Sequence, residues 1–199
     1  MDNKILIFAT SNANKVKEIS KMLPENFPYE IKSLKDAGID VDIPETGNTL
    51  RDNAIQKAKF VYDNYGYDTF AEDTGLFIDA LNGEPGIYTA RYAGEERDSQ
   101  KNMQKVLEKL QGAEDRKARF ITVIALILDG EVYTFEGVCE GNIASGMTGD
   151  GGFGYDPVFV PDGYDKTFAQ LPLSEKNKIS HRANALKKLV AFLSTQVGR

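Results

Sequence analysis

The sequence has a single cysteine, a single histidine and no run of about 18 apolar residues among its 199 positions. Because Cys139 is alone, an intrachain disulfide and a thiolate metal cluster are both excluded. The missing apolar run argues against a membrane-spanning helix, and the N-terminus lacks the small-residue cleavage site of a secretory signal. We therefore expect a cytoplasmic protein that does not interact with membranes.

An excess of basic residues is also absent. Lysine and arginine number 24 against 30 aspartate and glutamate, which gives a net charge of -6. A broad nucleic-acid surface needs a basic stripe, so we expect no nucleic-acid partner. A small anionic ligand remains compatible, because a local cluster of lysines or a bound divalent cation reverses the sign of the potential within one site.

The first part of the chain alternates strand and helix signals. An apolar run over residues 4–10 predicts a strand, and the apolar spacing over 12–23 predicts a helix. A clearer helix is predicted over 49–65, with Thr49 as its N-cap and Gly66 just past its end. Length and composition fit one domain spanning residues 1–199.

The middle of the chain adds antiparallel strands. Residues 118–128 and 131–139 flank Asp129 and Gly130, a strong hairpin signal. Short strands are predicted on either side of a polar turn, at 69–71 and 76–81. The remaining predicted elements are a helix capped by Asp98 or Ser99 and ended by Gly112, a short strand over 157–160, and a C-terminal helix. This mixture predicts an α/β domain with a mixed sheet rather than a purely doubly wound one.

The segment TSNANK between the first strand and helix is a candidate anion site. It contains Thr10, Ser11, Asn12, Ala13, Asn14 and Lys15. Helix N-terminal N–H groups and the helix dipole attract phosphate, and a lysine adds a positive charge. The alternative is that Ser11 or Asn12 simply caps the helix and Lys15 is solvated.

Three carboxylates form a second candidate site. Glu45 precedes the 49–65 helix, and Glu72 and Asp73 lie at a predicted strand end, where α/β sheets place their ligands. Carboxylates without histidine or cysteine suit Mg²⁺, which also takes phosphate oxygens. The alternative is that Glu45 complements the helix dipole and that Glu72 and Asp73 are ordinary turn residues.

The stretch GGFGYDPVF, residues 151–159, is unusual in combining glycines with aromatic residues. Its glycines permit close approach of the backbone, and Phe153 or Tyr155 would then offer a ring to a planar base. Asp156 would accept a hydrogen bond from a base or ribose. The alternative is a glycine-rich bend with both rings in the core.

The stretch LSEKNKISHRANALKKL, residues 173–189, allows two interpretations. In one, a single helix runs from Ser174, with Lys176 and Arg182 flanking its apolar stripe. In the other, Ser180 caps a helix whose first turn contains His181 and Arg182, close to its free N–H groups. A surface histidine on a basic helix is the alternative to a functional one.

Five blocks together resemble the inosine triphosphate pyrophosphatase family, which acts on noncanonical purine nucleoside triphosphates. They are ILIFATSNANKVKEI, IPETGNTLRDNAIQKA, FAEDTGLFIDALNGEPGIYTARYAG, GGFGYDPVF and SEKNKISHRANAL. The resemblance implies an elongated mixed β-sheet with flanking helices, two lobes around a central nucleotide cleft, and a homodimer. It also implies Mg²⁺-dependent hydrolysis of ITP, dITP and XTP to the monophosphate and pyrophosphate.

The same resemblance implies roles for individual residues. Thr10 to Lys15 would hold the triphosphate, while Glu45 and Asp73 would hold the metal, with Asp73 also accepting a proton from the attacking water. Thr74 would contact the substrate. The base and sugar would be surrounded by Phe153, Gly154, Tyr155, Asp156, Lys176, His181 and Arg182. The block TLRDNA departs from the family's TFxENA at Leu50 and Asp52, and the shorter Asp52 weakens any metal role there.

Two rival functions remain open. A Maf-like pyrophosphatase would act on pyrimidine or modified nucleotides, although the block around His181 and Arg182 argues against it. A nucleotide-binding regulatory module would bind without turnover. Such a module needs no carboxylates for a metal, so the presence of Glu45 and Asp73 argues against it.

Overall fold

The computed structural model describes residues 4–196 of the chain. Within that range no helix is both long and apolar enough to cross a membrane. The strands are β1 Lys4–Phe8, β2 Tyr29–Ser33, β3 Thr69–Ile78, β4 Pro85–Gly86, β5 Lys117–Leu128, β6 Glu131–Ile143 and β7 Phe159–Pro161. The helices are α1 Ala13–Met22, α2 Leu50–Tyr65, α3 Ser99–Lys109, α4 Leu173–Ile179 and α5 His181–Gln196.

The strands form one seven-stranded sheet of mixed direction. Its order is β2-β1-β3-β5-β6-β7, and β4 pairs with β3. β1 runs parallel to both β2 and β3, whereas β4 is antiparallel to β3 and β7 is antiparallel to β6. The predicted α/β class with a mixed sheet is therefore confirmed.

The chain divides into two compact units. Among the described residues, the first unit contains 4–73, 122–137 and 182–196, and the second contains 74–121 and 138–181. The first unit has an apolar core that includes Phe8, Phe70 and Leu189. The second has its own core, which includes Phe120, Phe159 and Phe168. Burial of these apolar side chains favours the folded state of each unit.

Helix α2 follows the sequence prediction closely. The Thr49 hydroxyl accepts a hydrogen bond from the backbone N–H of Asp52 at 3.0 Å, and Gly66 has a φ of 73° just past the last turn. Only glycine adopts that left-handed conformation without strain, so the helix ends there. The apolar stripe through Ala54, Ala58 and Val61 is fully buried.

Three details of the sheet differ from the prediction. β3 runs without interruption through residues 72–75. Its residues before this stretch pair with β1, those after it pair with β4, and Glu72 and Asp73 are buried. β2 was not predicted. Residues 157 and 158 belong to a short 3₁₀ turn that begins at Asp156 and contains a proline, so β7 starts only at Phe159.

Cys139 lies in the core of the second unit, on β6. Burial raises the pKa of its thiol to about 12, and Asp162 and Glu140 add to the effect. Because the thiolate is the reactive form, we expect iodoacetamide at pH 8 to label native Cys139 at least about 100-fold more slowly than the urea-unfolded chain. Equal labelling rates in the two states would show that the thiol is accessible.

Candidate functional site

The turn before α1 is a capped helix N-terminus. The Asn12 side chain accepts hydrogen bonds from the backbone N–H groups of Asn14 at 3.0 Å and Lys15 at 3.4 Å. The Thr10 hydroxyl in turn accepts from the N–H of Asn12 at 3.1 Å. Of the two capping residues that the alternative allowed, Ser11 and Asn12, the structure shows Asn12. Asn12 satisfies two of the N–H groups that a bound phosphate would otherwise use.

Lys15 is not a solvated lysine. Its ammonium lies 3.0 Å from the Glu72 carboxylate, and only 17% of its side chain is exposed. Burial lowers the pKa of Lys15, and the negative charge of Glu72 partly opposes that shift. The sequence alternative of a solvated Lys15 is therefore wrong. This lysine lies in the first turn of α1 and is instead held against Glu72.

Glu72 is the centre of a buried ion network in the first unit. The Arg182 guanidinium donates to both of its carboxylate oxygens, each at 2.8 Å, and to Glu18 at 2.7 Å. Arg182 and Glu72 are both 2% exposed and Glu18 is 4% exposed. The sequence alternative that treats Glu72 as an ordinary turn residue is wrong.

The charges in this network stabilise one another. Burial alone would raise the pKa of Glu72, but Arg182 and Lys15 outweigh it and hold that pKa well below its usual range. Burial would lower the pKa of Arg182, yet Glu72 and Glu18 hold it above its usual value. The network therefore contains two acidic and two basic side chains that alternate in the order Glu18, Arg182, Glu72 and Lys15.

The family resemblance implied that Arg182 lies with other residues around the base and sugar, and Glu18 was not singled out in the sequence. In the structure all three nitrogens of the Arg182 guanidinium donate hydrogen bonds to carboxylates, two to Glu72 and one to Glu18. Glu18 follows Lys15 by three residues on α1, a spacing that puts both on the same side of the helix. That spacing was the available signal, but it does not distinguish a buried glutamate from a solvated one.

Glu45 and Asp73 come together around a third residue, Lys57 of α2. The Lys57 ammonium lies 3.3 Å from a Glu45 oxygen, 3.8 Å from an Asp73 oxygen and 2.7 Å from the Glu72 carbonyl oxygen. Burial raises the pKa of Asp73, with Lys57 lowering it and Glu45 raising it further. Lys57 was missed in the sequence, where it is one of the two lysines of α2 and lies next to the buried Ala58.

The donor set around Lys57 fits a magnesium ion. Two carboxylates from separate segments converge on one positive charge, and neither histidine nor cysteine is part of the group. No cluster of three or more acidic, histidine or cysteine side chains suited to a metal is found within residues 4–196. Two carboxylates nevertheless match the usual Mg²⁺ site, which is completed by water and substrate phosphates.

The second unit assembles a different group around Lys176. Its ammonium lies 2.7 Å from the Asp156 carboxylate and 5.0 Å from the centre of the Phe153 ring. The same Asp156 oxygen accepts the backbone N–H of Phe153 at 3.0 Å. Gly152 has a φ of 67°, and a Cβ there would collide with the Asp156 carboxylate. The glycine is therefore required for this aspartate to close the turn.

The two aromatic rings of GGFGYD have different surroundings. Tyr155 is in the core, where burial raises the pKa of its hydroxyl and the hydroxyl donates to the Thr89 carbonyl oxygen at 2.6 Å. Phe153 is only half-buried. The alternative that both rings are core residues is thus wrong for Phe153 and right for Tyr155.

Residues 173–189 follow the second sequence interpretation, with an additional short helix. α4 ends at Ile179, Ser180 is extended with a ψ of 156°, and α5 begins at His181. His181 is 3% exposed and stacks on Phe120, with ring centres 4.5 Å apart. It is therefore not a surface histidine. His181 belongs to the second unit and Arg182 to the first.

The remaining candidate residues are spread over several elements. Thr74 is half-buried within β3, Ser11, Ala13 and Asn14 lie near the start of α1, and Gly154 has a φ of 61°. Asp52, which departs from the resembled motif, is exposed on α2 with its N–H bound by Thr49. The carboxylates that meet at Lys57 are those of Glu45 and Asp73.

Comparisons with known proteins match nearly the whole chain. A family model described as the Ham1 family matches residues 6–192. The dITP/XTP pyrophosphatases of Flavobacterium johnsoniae and Christiangramia forsetii are 51% and 50% identical over 189 residues, covering 95% of this chain and 97% and 98% of those relatives. The solved structure of the Staphylococcus aureus Ham1 protein has a TM-score of 0.87 and 41% identity, covering 97% of this chain and 100% of that one.

Proposed function

Because the chain belongs to the Ham1 family, we propose that it hydrolyses the noncanonical purine nucleoside triphosphates ITP, dITP and XTP to the monophosphate and pyrophosphate. Its relatives at about half identity are named dITP/XTP pyrophosphatases. The observation that carries the proposal is the convergence of Glu45 and Asp73 on the Lys57 ammonium. Such a pair of carboxylates beside a lysine suits cleavage of a phosphoanhydride.

Asp73, Lys15 and Lys57 of the first unit have separate chemical tasks in this reaction. Water attacks phosphorus, one P–O bond forms as the bridging P–O bond breaks, and the water's proton passes to the Asp73 carboxylate. Lys15 and Lys57 supply positive charge to phosphate oxygens, since the N–H groups of Asn14 and Lys15 are already occupied by Asn12.

The cofactor proposed for this site is Mg²⁺, held by Glu45 and Asp73. When bound there, it would neutralise charge on the phosphate oxygens. The support is the oxygen-only donor pair described above, together with the resemblance. A homodimer, a cytoplasmic location and the absence of nucleic-acid and membrane partners are proposed on the resemblance, the net charge of -6 and the single cysteine.

The second unit is proposed to bind the base and sugar. Phe153 is the ring that remains half-exposed for stacking, while Asp156 and Lys176 hold the segment that carries it. Hypoxanthine and xanthine present an oxygen at position 6, where adenine presents an amino group. Donors facing that position would be left unpaired against adenine, a penalty of about 1–3 kcal/mol per group.

Pyrophosphate release from a nucleotide panel tests the proposal. We expect fast release from ITP, dITP and XTP in Mg²⁺, little from ATP, GTP, CTP and TTP, and none in EDTA. Release chiefly from TTP or CTP would favour the Maf-like alternative. No release from any nucleotide, together with nucleotide binding, would favour the regulatory module.

A further inference from the structure

Glu45 lies in a segment without regular structure. Residues 39–47 form neither helix nor strand, and the Glu45 side chain is 30% exposed. Asp73, by contrast, is part of the buried strand β3. Glu45 therefore has no helix or strand hydrogen bonds that fix its position. If the two carboxylates are to bind one cation, contacts from another element have to hold Glu45 in place.

Helix α2 supplies those contacts to three successive residues. Lys57 lies 3.3 Å from Glu45. The Gln56 carboxamide accepts the backbone N–H of Thr46 at 2.8 Å and donates to the Thr46 hydroxyl at 3.0 Å. One side chain of α2 therefore holds both the backbone and the side chain of the residue that follows Glu45.

The next residue in the loop is fixed independently. The side-chain oxygen Oδ1 of Asn53 accepts the N–H of Gly47 at 2.7 Å, and the Asn53 side chain also hydrogen-bonds the Asp73 carboxyl. A Cβ on Gly47 would lie 2.6 Å from the Cβ of Asp52, which is closer than packed atoms approach. The loop is thus anchored at Gly47 whether or not Gln56 is present, so we expect replacement of Gln56 to leave the fold intact.

The contact between Lys57 and Glu45 differs from these in kind. It is an attraction between charges, so a cation binding to Glu45 competes with it and repels the lysine. The hydrogen bonds of Gln56 are between neutral groups and do not compete with a cation. They are therefore the contacts to the residue beside Glu45 that persist when a metal is bound.

We propose that Gln56 is a positioning residue for the metal site: through its two hydrogen bonds to Thr46 it holds Glu45 where it binds a divalent cation together with Asp73. The inference rests on the proposed function. Gln56 contacts neither substrate nor metal. Without it, Glu45 spends part of its time in other conformations, and the apparent metal affinity falls in proportion to the fraction that remains competent.

The test uses the whole chain and two readouts. Binding of Mn²⁺ to the nucleotide-free protein is followed by electron paramagnetic resonance, and the Mg²⁺ midpoint for ITP hydrolysis is measured separately. For Gln56→Ala we expect about 3- to 10-fold weaker Mn²⁺ binding and a matching rise in the Mg²⁺ midpoint, with kcat at saturating Mg²⁺ near that of the unaltered protein. Gln104→Ala, on the exposed face of α3, is the matched control and should change neither.

Variants of Thr46 separate positioning from a general loss of stability. Thr46→Val removes the hydroxyl that Gln56 binds and should weaken Mn²⁺ binding, whereas Thr46→Ser keeps the hydroxyl and should not. Because both residues act through the same contact, the double variant Gln56→Ala, Thr46→Val should be no weaker than Gln56→Ala alone. Additive losses would show that the two residues act separately and would overturn the inference.

The two proposals fail in different ways. Unchanged Mn²⁺ binding and an unchanged Mg²⁺ midpoint in Gln56→Ala, in a protein that hydrolyses ITP, would overturn the role of Gln56 alone. A fall in kcat at saturating Mg²⁺ without a change in metal affinity would also overturn it. If the unaltered chain neither binds Mn²⁺ nor releases pyrophosphate, the proposed function fails and this inference fails with it.

Discussion

Asp73→Asn is expected to lower kcat for ITP hydrolysis by about 10²- to 10⁴-fold, the usual contribution of a general base. The amide has nearly the shape of the carboxylate, but it cannot accept a proton and has no charge to bind a cation. Asp73 also lies 3.8 Å from the Lys57 ammonium, so its replacement leaves Glu45 as the carboxylate that faces this lysine.

The expected loss is one of chemistry rather than of folding. Burial disfavours the charged form of Asp73 and raises its pKa, so a neutral amide at this position should leave the melting temperature unchanged or higher. Steady-state kinetics with ITP, calorimetric binding of ITP and thermal melting separate these effects. Binding should be retained within about tenfold, since Lys15 and the second unit are untouched.

Asp63→Asn is the matched control for this substitution. Asp63 is exposed on α2 and contacts only Lys59 among the ion pairs of the described residues, at 4.0 Å. Its replacement should change kcat by less than about twofold, as is usual for surface positions. If Asp73→Asn kept more than a tenth of the activity, the assignment of Asp73 as proton acceptor would be wrong.

Arg182→Met is expected to have the largest effect on stability, about 3–5 kcal/mol in the free energy of unfolding at pH 7. Methionine fills part of the same space but leaves Glu72 and Glu18 buried without the guanidinium that pairs with both. Arg182→Lys should recover only part of the loss, because an ammonium cannot reproduce the two parallel bonds to Glu72.

The loss should depend on pH in a defined direction. In the unaltered protein the pKa of Glu72 is depressed, so its contribution is fully present above the ordinary pKa and is lost only as pH falls through the lower folded value. Without Arg182, burial becomes the larger influence and that pKa rises. The Glu72 carboxyl of the variant then takes up a proton in mild acid. The difference in unfolding free energy between the unaltered protein and Arg182→Met should therefore be smaller at pH 5 than at pH 7.

Urea unfolding at both pH values, followed by circular dichroism, measures the difference. Arg51→Met is the control, because Arg51 is exposed on α2 of the same unit and its loss should cost less than about 0.5 kcal/mol. Adding Glu18→Gln to Arg182→Met should restore part of the stability, because it replaces one of the two buried acidic side chains that lose Arg182 as a partner. A loss below about 1 kcal/mol for Arg182→Met would show that the network does not stabilise the unit.

Local patterns in the sequence were sufficient for most of the secondary structure. α2 was correct to its ends because Thr49 and Gly66 act on neighbouring backbone groups, and the hairpin of β5 and β6 was correct because Asp129 and Gly130 suit a tight turn. β3 was divided in two in the prediction because residues 72–75 look like a polar turn. Their burial in a strand depends on ion pairs with residues far away in the chain, such as Lys15 and Arg182.

The sequence by itself determined the caps, the glycine positions, the mixed α/β class and, through five motifs, the resemblance to a pyrophosphatase family. Only the tertiary structure decided the partners of the charged groups: Lys57 between Glu45 and Asp73, and Arg182 against Glu72 and Glu18. The reason is physical. A cap or a turn is decided by interactions within a few residues, whereas a buried charge is tolerated only where distant segments bring an opposite charge to it.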